Sequence, residues 1–332
     1  MKFLIAGLGS IGRRHLRNLQ ALGEKDILLY RTHQATLPED ELNGYHVETD
    51  LARALQLGPE AVIIANPTAL HLSVALPAAE AGCHLLIEKP VSHSLEGLDE
   101  LKAALKRGGG KVLVGFQFRY HPGLQQIKQL LGRQAVGRPL SVRAHWGEHL
   151  PNWHPWEDFR RSYAARPELG GGVVLTLCHP LDYLHWLIGE AESLWAFTSR
   201  TGLGLEVEDI AEIGLRFKDG TLGSVHLDYV QRPPQHTLEI IGTEGTITWD
   251  NASGSVHLTR PSLGEPREEG QAFPVPAGFE RNSMFLTEMA HFREVVKGEC
   301  EPICPLEDGI YALKLALAAL RSDRERRSCE IG

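Results

Sequence analysis

Gly7-Leu8-Gly9-Ser10-Ile11-Gly12 stands directly after the apolar run Lys2–Ala6 and opens a helical stretch reaching Leu22. Gly7 permits a tight turn, Gly9 lets backbone approach a pyrophosphate, and Gly12 lets the helix pack closely on the strand. The helix start at Ser10 and Ile11 offers free N–H donors and partial positive charge to phosphate oxygens. This spacing predicts dinucleotide binding, with an ordinary glycine turn as the plain reading. About twenty residues past such glycines an acid normally holds the ribose 2′-hydroxyl of NAD. Here Tyr30-Arg31-Thr32 occupies that place. A guanidinium pairs with a 2′-phosphate, so Arg31 favours NADP over NAD; a solvated loop arginine is the other reading.

Two further segments carry candidate chemistry. Glu88-Lys89-Pro90 follows the apolar run His84–Ile87, and the carboxyl ends of strands in an open parallel sheet line its ligand crevice. A lysine there touches a substrate and has a pKa tunable by desolvation and nearby charge; a surface turn lysine is the alternative. Glu168 to Tyr183 contains Gly170-Gly171-Gly172 ahead of a helical pattern, with His179 and Asp182 on one face at i, i+3. A histidine there can accept a hydroxyl proton as hydride leaves the same carbon, or be a satisfied structural histidine.

The elements that must position these residues alternate strand and helix through the first half. Short apolar strands are expected at Lys2–Ala6, Ile27–Tyr30, Ala61–Ala65, His84–Ile87 and Val112–Val114, with helices at Asp50–Leu57, Ala69–Ala81 and Leu95–Arg107 between them. Near-continuous apolar strands require a parallel sheet covered on both faces, which predicts a doubly wound α/β domain over residues 1–120. The second half changes rhythm. Ile213, Leu215 and Phe217 alternate with polar or small residues, Asp219-Gly220 marks a turn, and Val225, Leu227 and Tyr229 alternate again. Leu238–Ile241 and Thr246–Trp249 flank Gly242-Thr243-Glu244-Gly245 as another hairpin, and helices are expected at Gly172–Ile188, Arg281–Lys297 and Leu306–Arg321. Residues 261–278, rich in Pro, Gly and Glu, read as a long loop. The second domain, 121–332, is therefore expected to be α+β with a large, mostly antiparallel sheet.

Composition narrows the function classes. The chain has 332 residues, 42% hydrophobic and 23% charged, which excludes a disordered or fibrous protein. Lys plus Arg number 34 against 42 acids, a formal charge of −8, so no basic field exists to hold nucleic acid or an anionic membrane. No apolar run reaches the roughly 20 residues that cross a bilayer. Met1–Ala6 resembles a signal peptide only until Arg13-Arg14-His15 follows where a cleavage region belongs. Cys83, Cys178, Cys300, Cys304 and Cys329 show no framework spacing and read as free thiols in a reducing cytoplasm. Cys300 and Cys304 lack a second ligand pair at zinc spacing, and His145-Trp146-Gly147-Glu148-His149 fits H-x-x-E-H but follows a strand pattern instead of lying on a helix. No metal is expected. Trp146, Trp153, Trp156, Trp186 and Trp195 cluster in the middle of the chain, as a sugar-stacking wall or as core.

Taken together the chain resembles the glucose–fructose oxidoreductase and inositol dehydrogenase family over nearly its whole length. The resemblance rests on Gly7–Gly12, Asn66-Pro67-Thr68 with His71, Glu88-Lys89-Pro90, Phe116–Pro122, Gly170–Tyr183 and Ile240–Thr246. It implies a Rossmann domain for NAD or NADP, with Asn66, Pro67, His71, Glu88 and Lys89 among the cofactor-side residues. It also implies a hydride transfer involving a ring hydroxyl of a sugar, sugar derivative or inositol-like polyol. Lys89 matches the family's active-site lysine, His179 its proton-transferring histidine, and Arg119 and Tyr120 a segment near nicotinamide and substrate. Relatives commonly form dimers or tetramers through the C-terminal sheet. One departure concerns the aspartate usually found three or four residues before the histidine: here stand Leu175 and Thr176. Threonine hydrogen-bonds but brings no negative charge, and Asp182 one turn later is a possible substitute or a structural residue. The alternatives are a redox-neutral, NAD-dependent glycoside hydrolase and a non-catalytic dinucleotide-binding regulator.

Overall fold

The computed structural model describes residues 1–32, 40–155, 157–261 and 268–331. Trp156 and part of the expected loop 261–278 lie outside the described residues. Contacts divide the chain into two units, residues 1–117 with 281–310, and residues 118–280 with 311–332.

The first unit begins as a strand–helix alternation: β1 (Phe3–Ala6), α1 (Ser10–Ala21), β2 (Ile27–Tyr30), β3 (His46–Glu48), α2 (Leu51–Gln56), β4 (Ala61–Ile64), α3 (His71–Glu80), β5 (His84–Glu88), α4 (Leu98–Gly108) and β6 (Val112–Gly115). All strand pairs are parallel, in the order β3-β2-β1-β4-β5-β6. Every residue of β1, β4 and β6 is buried, which a sheet covered on both faces requires. Local signals set the ends: Asp50 accepts from the N–H groups of Ala52 and Arg53 to start α2, and Gly109 in the left-handed region (φ 76°) ends α4. The strand β3 was not anticipated. It is three residues long, mostly half-buried and at the sheet edge, so it leaves no apolar run to read.

The second unit holds α5 (Pro122–Gly132), β7 (Pro139–Gly147), α6 (Val173–Thr176), α7 (His179–Ile188), β8 (Ala191–Ser199), β9 (Ile210–Phe217), β10 (Leu222–Asp228), β11 (Gln235–Gly242), β12 (Thr246–Asp250), β13 (Val256–Pro261) and β14 (Glu268–Phe273). The chain then runs through α8 (Arg281–Lys297) and α9 (Leu306–Glu325) to β15 (Cys329–Glu330). Nine strands form one sheet, β14-β13-β12-β11-β7-β10-β9-β8-β15, in which only the β7–β10 pair is parallel. The alternation expected from sequence is present: Ile213, Leu215, Phe217, Val225, Leu227, Leu238, Ile240, Ile247 and Trp249 are buried.

Three expectations change. The helix expected over Gly172–Ile188 is two helices, α6 and α7, because Pro180 lacks an N–H and its ring would clash with the carbonyl four residues back, at Thr176. The loop expected over 261–278 contains β14, which pairs with β13 from Val256↔Phe273 to Pro261↔Glu268. The expected division into 1–120 and 121–332 differs from the observed units in the returning segment 281–310. Helix α8 buries Met284, Phe285, Met289, Phe292 and Val295, and packs on α1 of the first unit with Asn282 donating to Asn18 at 3.0 Å and Arg293 to Glu24 at 2.7 Å. Among the described residues no helix is long and apolar enough to cross a membrane.

Candidate active site

The glycine turn lies where the strand order reverses, between β1 and β4, the position at which open parallel sheets bind ligands. Gly7 has φ +91°, and a Cβ on it would run into the backbone of Ala65 and Asn66. On Gly12 a Cβ would strike the carbonyl oxygen of Gly7, so the helix approaches the turn as closely as glycine allows. Gly9 is different: a Cβ there meets nothing within 4 Å. It is the N-cap of α1 and provides no side-chain cap. Helix geometry gives the N–H groups of Ser10, Ile11 and Gly12 no acceptor within the helix. Open space above three such donors fits a dinucleotide's pyrophosphate.

Arg31 follows β2 directly and is buried, its backbone N–H bonded to Glu48 O at 3.1 Å. The reading of Arg31 as a solvated loop residue is therefore set aside. Asn66 and Pro67 follow β4, and the amide of Asn66 donates to Leu70 O at 3.0 Å. His71 is buried with its ring nitrogens 3.0 Å from Pro90 O and 3.0 Å from Asn66 O, so it braces the turns after β4 and β5. Burial lowers its pKa, against the opposing pull of Glu88 and those carbonyls.

Glu88 ends β5 and is also buried. Burial alone would raise its pKa, but a 2.7 Å hydrogen bond with His15 and the charges of His15 and Lys89 outweigh it, and the net shift is downward. Its second oxygen accepts from the N–H of Lys89 at 3.3 Å. Glu88 therefore stays ionised and fixes the turn on which half-buried Lys89 stands. Beside it, Glu288 of α8 is fully buried with neither carboxyl oxygen hydrogen-bonded, and burial, then Glu88, push its pKa well above the usual range. Sequence reasoning missed His15 and Glu288. Each is a polar residue on the buried face of a helix, between Gly12 and Leu16 in one case and Phe285 and Met289 in the other.

The second unit holds the other candidates. His179 is the first residue of α7, buried, with its ring edge-on to Phe118 at 5.0 Å and 5.2 Å from Trp146. Arg119 and Asp182 form a bidentate pair (Nε–Oδ2 3.1 Å, Nη2–Oδ1 2.7 Å) in which both side chains are 1% exposed. Their charges are directed at each other, which gives Asp182 to structure. Thr176 ends α6 and is buried, and nearby Tyr229 donates its hydroxyl to Ala164 O at 3.3 Å. Tyr120 closes the single turn Gln117–Tyr120. Gly172 (φ +108°) leaves room for Glu208, which caps α6 through Val174 N at 3.1 Å; Glu208 was not anticipated.

Around His179 sit two more histidines that sequence reasoning did not single out. His236 stacks on Trp146 at 4.4 Å and 2°, and burial drives its pKa well down. His121 caps α5 by accepting from Gly123 N at 2.9 Å, and burial lowers its pKa to about 4. Trp146 is core in this cluster and Trp195 is exposed on the sheet, so neither stands as an enclosed sugar wall.

Comparison with known proteins places this geometry. Residues 1–116 match the oxidoreductase family with an NAD-binding Rossmann fold, and residues 124–248 match the GFO/IDH/MocA C-terminal domain. The chain is 27% identical to the 1,5-anhydro-D-fructose reductase of Ensifer adhaerens over 82% of this chain and 80% of that protein. It is 27% identical to the myo-inositol 2-dehydrogenase of Thermotoga maritima over 100% of this chain and 98% of that one. The solved levoglucosan dehydrogenase in complex with NADH and L-sorbose has the same fold, with a TM-score of 0.87 at 21% identity over 100% of this chain and 99% of that one. Two adjoining family matches, a sheet that reverses at a glycine turn and a nine-stranded partner sheet all agree: the chain belongs to the GFO/IDH/MocA family of NAD-binding oxidoreductases.

Proposed function

We propose that the chain transfers hydride between NADP, preferred over NAD, and a ring carbon of a cyclic sugar, sugar derivative or inositol-like polyol. The observation that carries this reading is the uncapped glycine turn at the β1/β4 reversal, in the same unit as Lys89 at the carboxyl end of β5. When bound, the nicotinamide supplies the hydride acceptor or donor. Ser10, Ile11 and Gly12 hold the pyrophosphate through backbone N–H groups, Asn66 and Pro67 flank it, and Arg31 reads the 2′-phosphate. Glu88, kept ionised by His15, and His71, which holds Pro90, fix the turn that aims Lys89. The Lys89 ammonium donates to the reacting oxygen and stabilises the negative charge that develops there. His179 takes the hydroxyl proton in oxidation and returns it in reduction. Tyr120 contacts substrate. Thr176 adds a hydrogen-bonding hydroxyl without charge, and the Arg119–Asp182 pair acts by holding the start of α7, and with it His179.

Support for the substrate class comes from relatives named for anhydrofructose, inositol and levoglucosan, all ring polyols or their derivatives. Exposed Trp195, Phe197 and Leu222 on the second unit's sheet support a homodimer or homotetramer through that face. Five free cysteines support a reducing cytoplasm. The test is a panel of cyclic sugars and polyols with NADP, NADPH, NAD and NADH, following nicotinamide absorbance and product together. The reading expects a stoichiometric absorbance change, larger with NADP(H). Product release with no net absorbance change would instead mark redox-neutral glycoside cleavage, and cofactor binding with no turnover across the panel would favour the regulator.

A further inference from the structure

Away from the candidate active site, the sheet face of the second unit that also carries Phe197 and Leu222 holds a row of polar residues across three strands. Glu212 on β9 registers with His226 on β10, and His226 registers with His145 on β7. Asp228 stands two residues beyond His226 on the same strand and so on the same face. The rings of His145 and His226 lie 4.5 Å apart at 21°. Taking one nitrogen from each ring and one oxygen from Asp228, the three atoms lie within 4.8 Å of one another.

The surroundings are built to hold these groups. Oδ1 of Asp228 accepts from the N–H groups of Val230 (2.7 Å) and Gln231 (2.6 Å), which fixes the carboxylate with Oδ2 3.0 Å from Nε2 of His226. Nδ1 of His226 is 2.6 Å from Glu212 Oε1, and Nε2 of His145 is 2.5 Å from the amide oxygen of Gln231. His145 thus has Nε2 tied to Gln231, while His226 has Nδ1 tied to Glu212 and Nε2 directed at the Asp228 carboxylate; outer acceptors of this kind orient metal-bound histidines. Gly147, the register partner of Asp228, makes the room: a Cβ there would collide with Oδ2 of Asp228 and Oε1 of Gln231.

We propose that His145, His226 and Asp228 bind one divalent first-row transition ion, zinc being the best match to two imidazoles and a carboxylate, with Glu212 and Gln231 as the outer partners. Water fills the remaining coordination positions. The H-x-x-E-H pattern at His145–His149 thus contributes its first histidine, with partners drawn from a neighbouring strand instead of from a helix.

Chelator-treated protein titrated with Zn²⁺ by calorimetry, and with Co²⁺ by visible absorption, tests this. One equivalent per chain is expected, with Co²⁺ ligand-field bands displaced by Zn²⁺. Both His145→Gln and His226→Gln weaken binding by about tenfold or more, while NADPH titration serves as the control for a folded chain and stays unchanged. A second trio, His291, Glu294 and Cys300 in the first unit, offers donors at similar spacing. Binding that survives in the double His145→Gln, His226→Gln variant and disappears in His291→Ala would overturn the assignment, as would the absence of any saturable uptake.

Discussion

In the first unit the groups proposed to bind a ligand are backbone: the N–H donors of Ser10 to Gly12, accessible because Gly9 carries no side chain and Gly7 and Gly12 permit close packing. In the second unit they are side chains from distant segments, His179 on α7 among Phe118, Trp146 and His236. A backbone cradle depends on residues adjacent in sequence and on what is missing from them. A side-chain nest depends on packing among elements that sequence order does not relate. The two therefore break differently, and the difference is measurable.

The largest expected effect is chemical. Lys89→Met and His179→Asn should each cut kcat by about a hundred- to ten-thousand-fold, with NADPH binding by fluorescence retained, because neither residue belongs to the cradle. Next comes the buried pair. Asp182→Asn leaves Arg119 without its carboxylate and should destabilise the protein by about 3–5 kcal/mol in urea denaturation, whereas Arg119→Met with Asp182→Leu together should recover most of that loss.

Glycine substitutions sharpen the contrast within the cradle itself. Gly12→Ala forces a Cβ against the Gly7 carbonyl and should cost about 1–3 kcal/mol of stability. Gly9→Ala meets no protein atom within 4 Å and should leave the melting temperature nearly unchanged while weakening NADPH binding. Equal loss of stability in both variants would contradict the open space assigned to the pyrophosphate.

The smallest effect depends on pH. Glu288 has a folded-state pKa raised above the ordinary 4.5, so its burial carries no charge penalty at low pH and a progressively larger one as pH rises from 4.5 to the folded value. Glu288→Gln removes that charge penalty, and its stability relative to the parent should climb as pH increases above 4.5. A pH-independent difference in melting temperature would contradict a neutral buried acid.

Much of the first unit was legible because every strand but β3 is a short apolar run and several turns are marked by glycine, as at Ile27–Tyr30 and Gly109. The break between α6 and α7 was also written in the sequence, at Pro180, but glycines upstream drew the helix start too early. The strand β14 was masked by composition, since its pairing with β13 depends on a partner strand and not on an apolar pattern of its own. The cofactor side of the site could be read from adjacent residues. The His15–Glu88 bond and the Arg119–Asp182 pair could not, because each joins segments more than sixty residues apart.

The most direct measurement is a parallel fluorescence titration of the purified protein with NADPH and NADH. Saturable binding of both, tighter for NADPH and with that preference abolished by Arg31→Ala, is the predicted result. Tighter NADH binding would remove Arg31 as the phosphate reader, and failure of either nucleotide to bind a chain purified without cofactor would contradict the dinucleotide site itself.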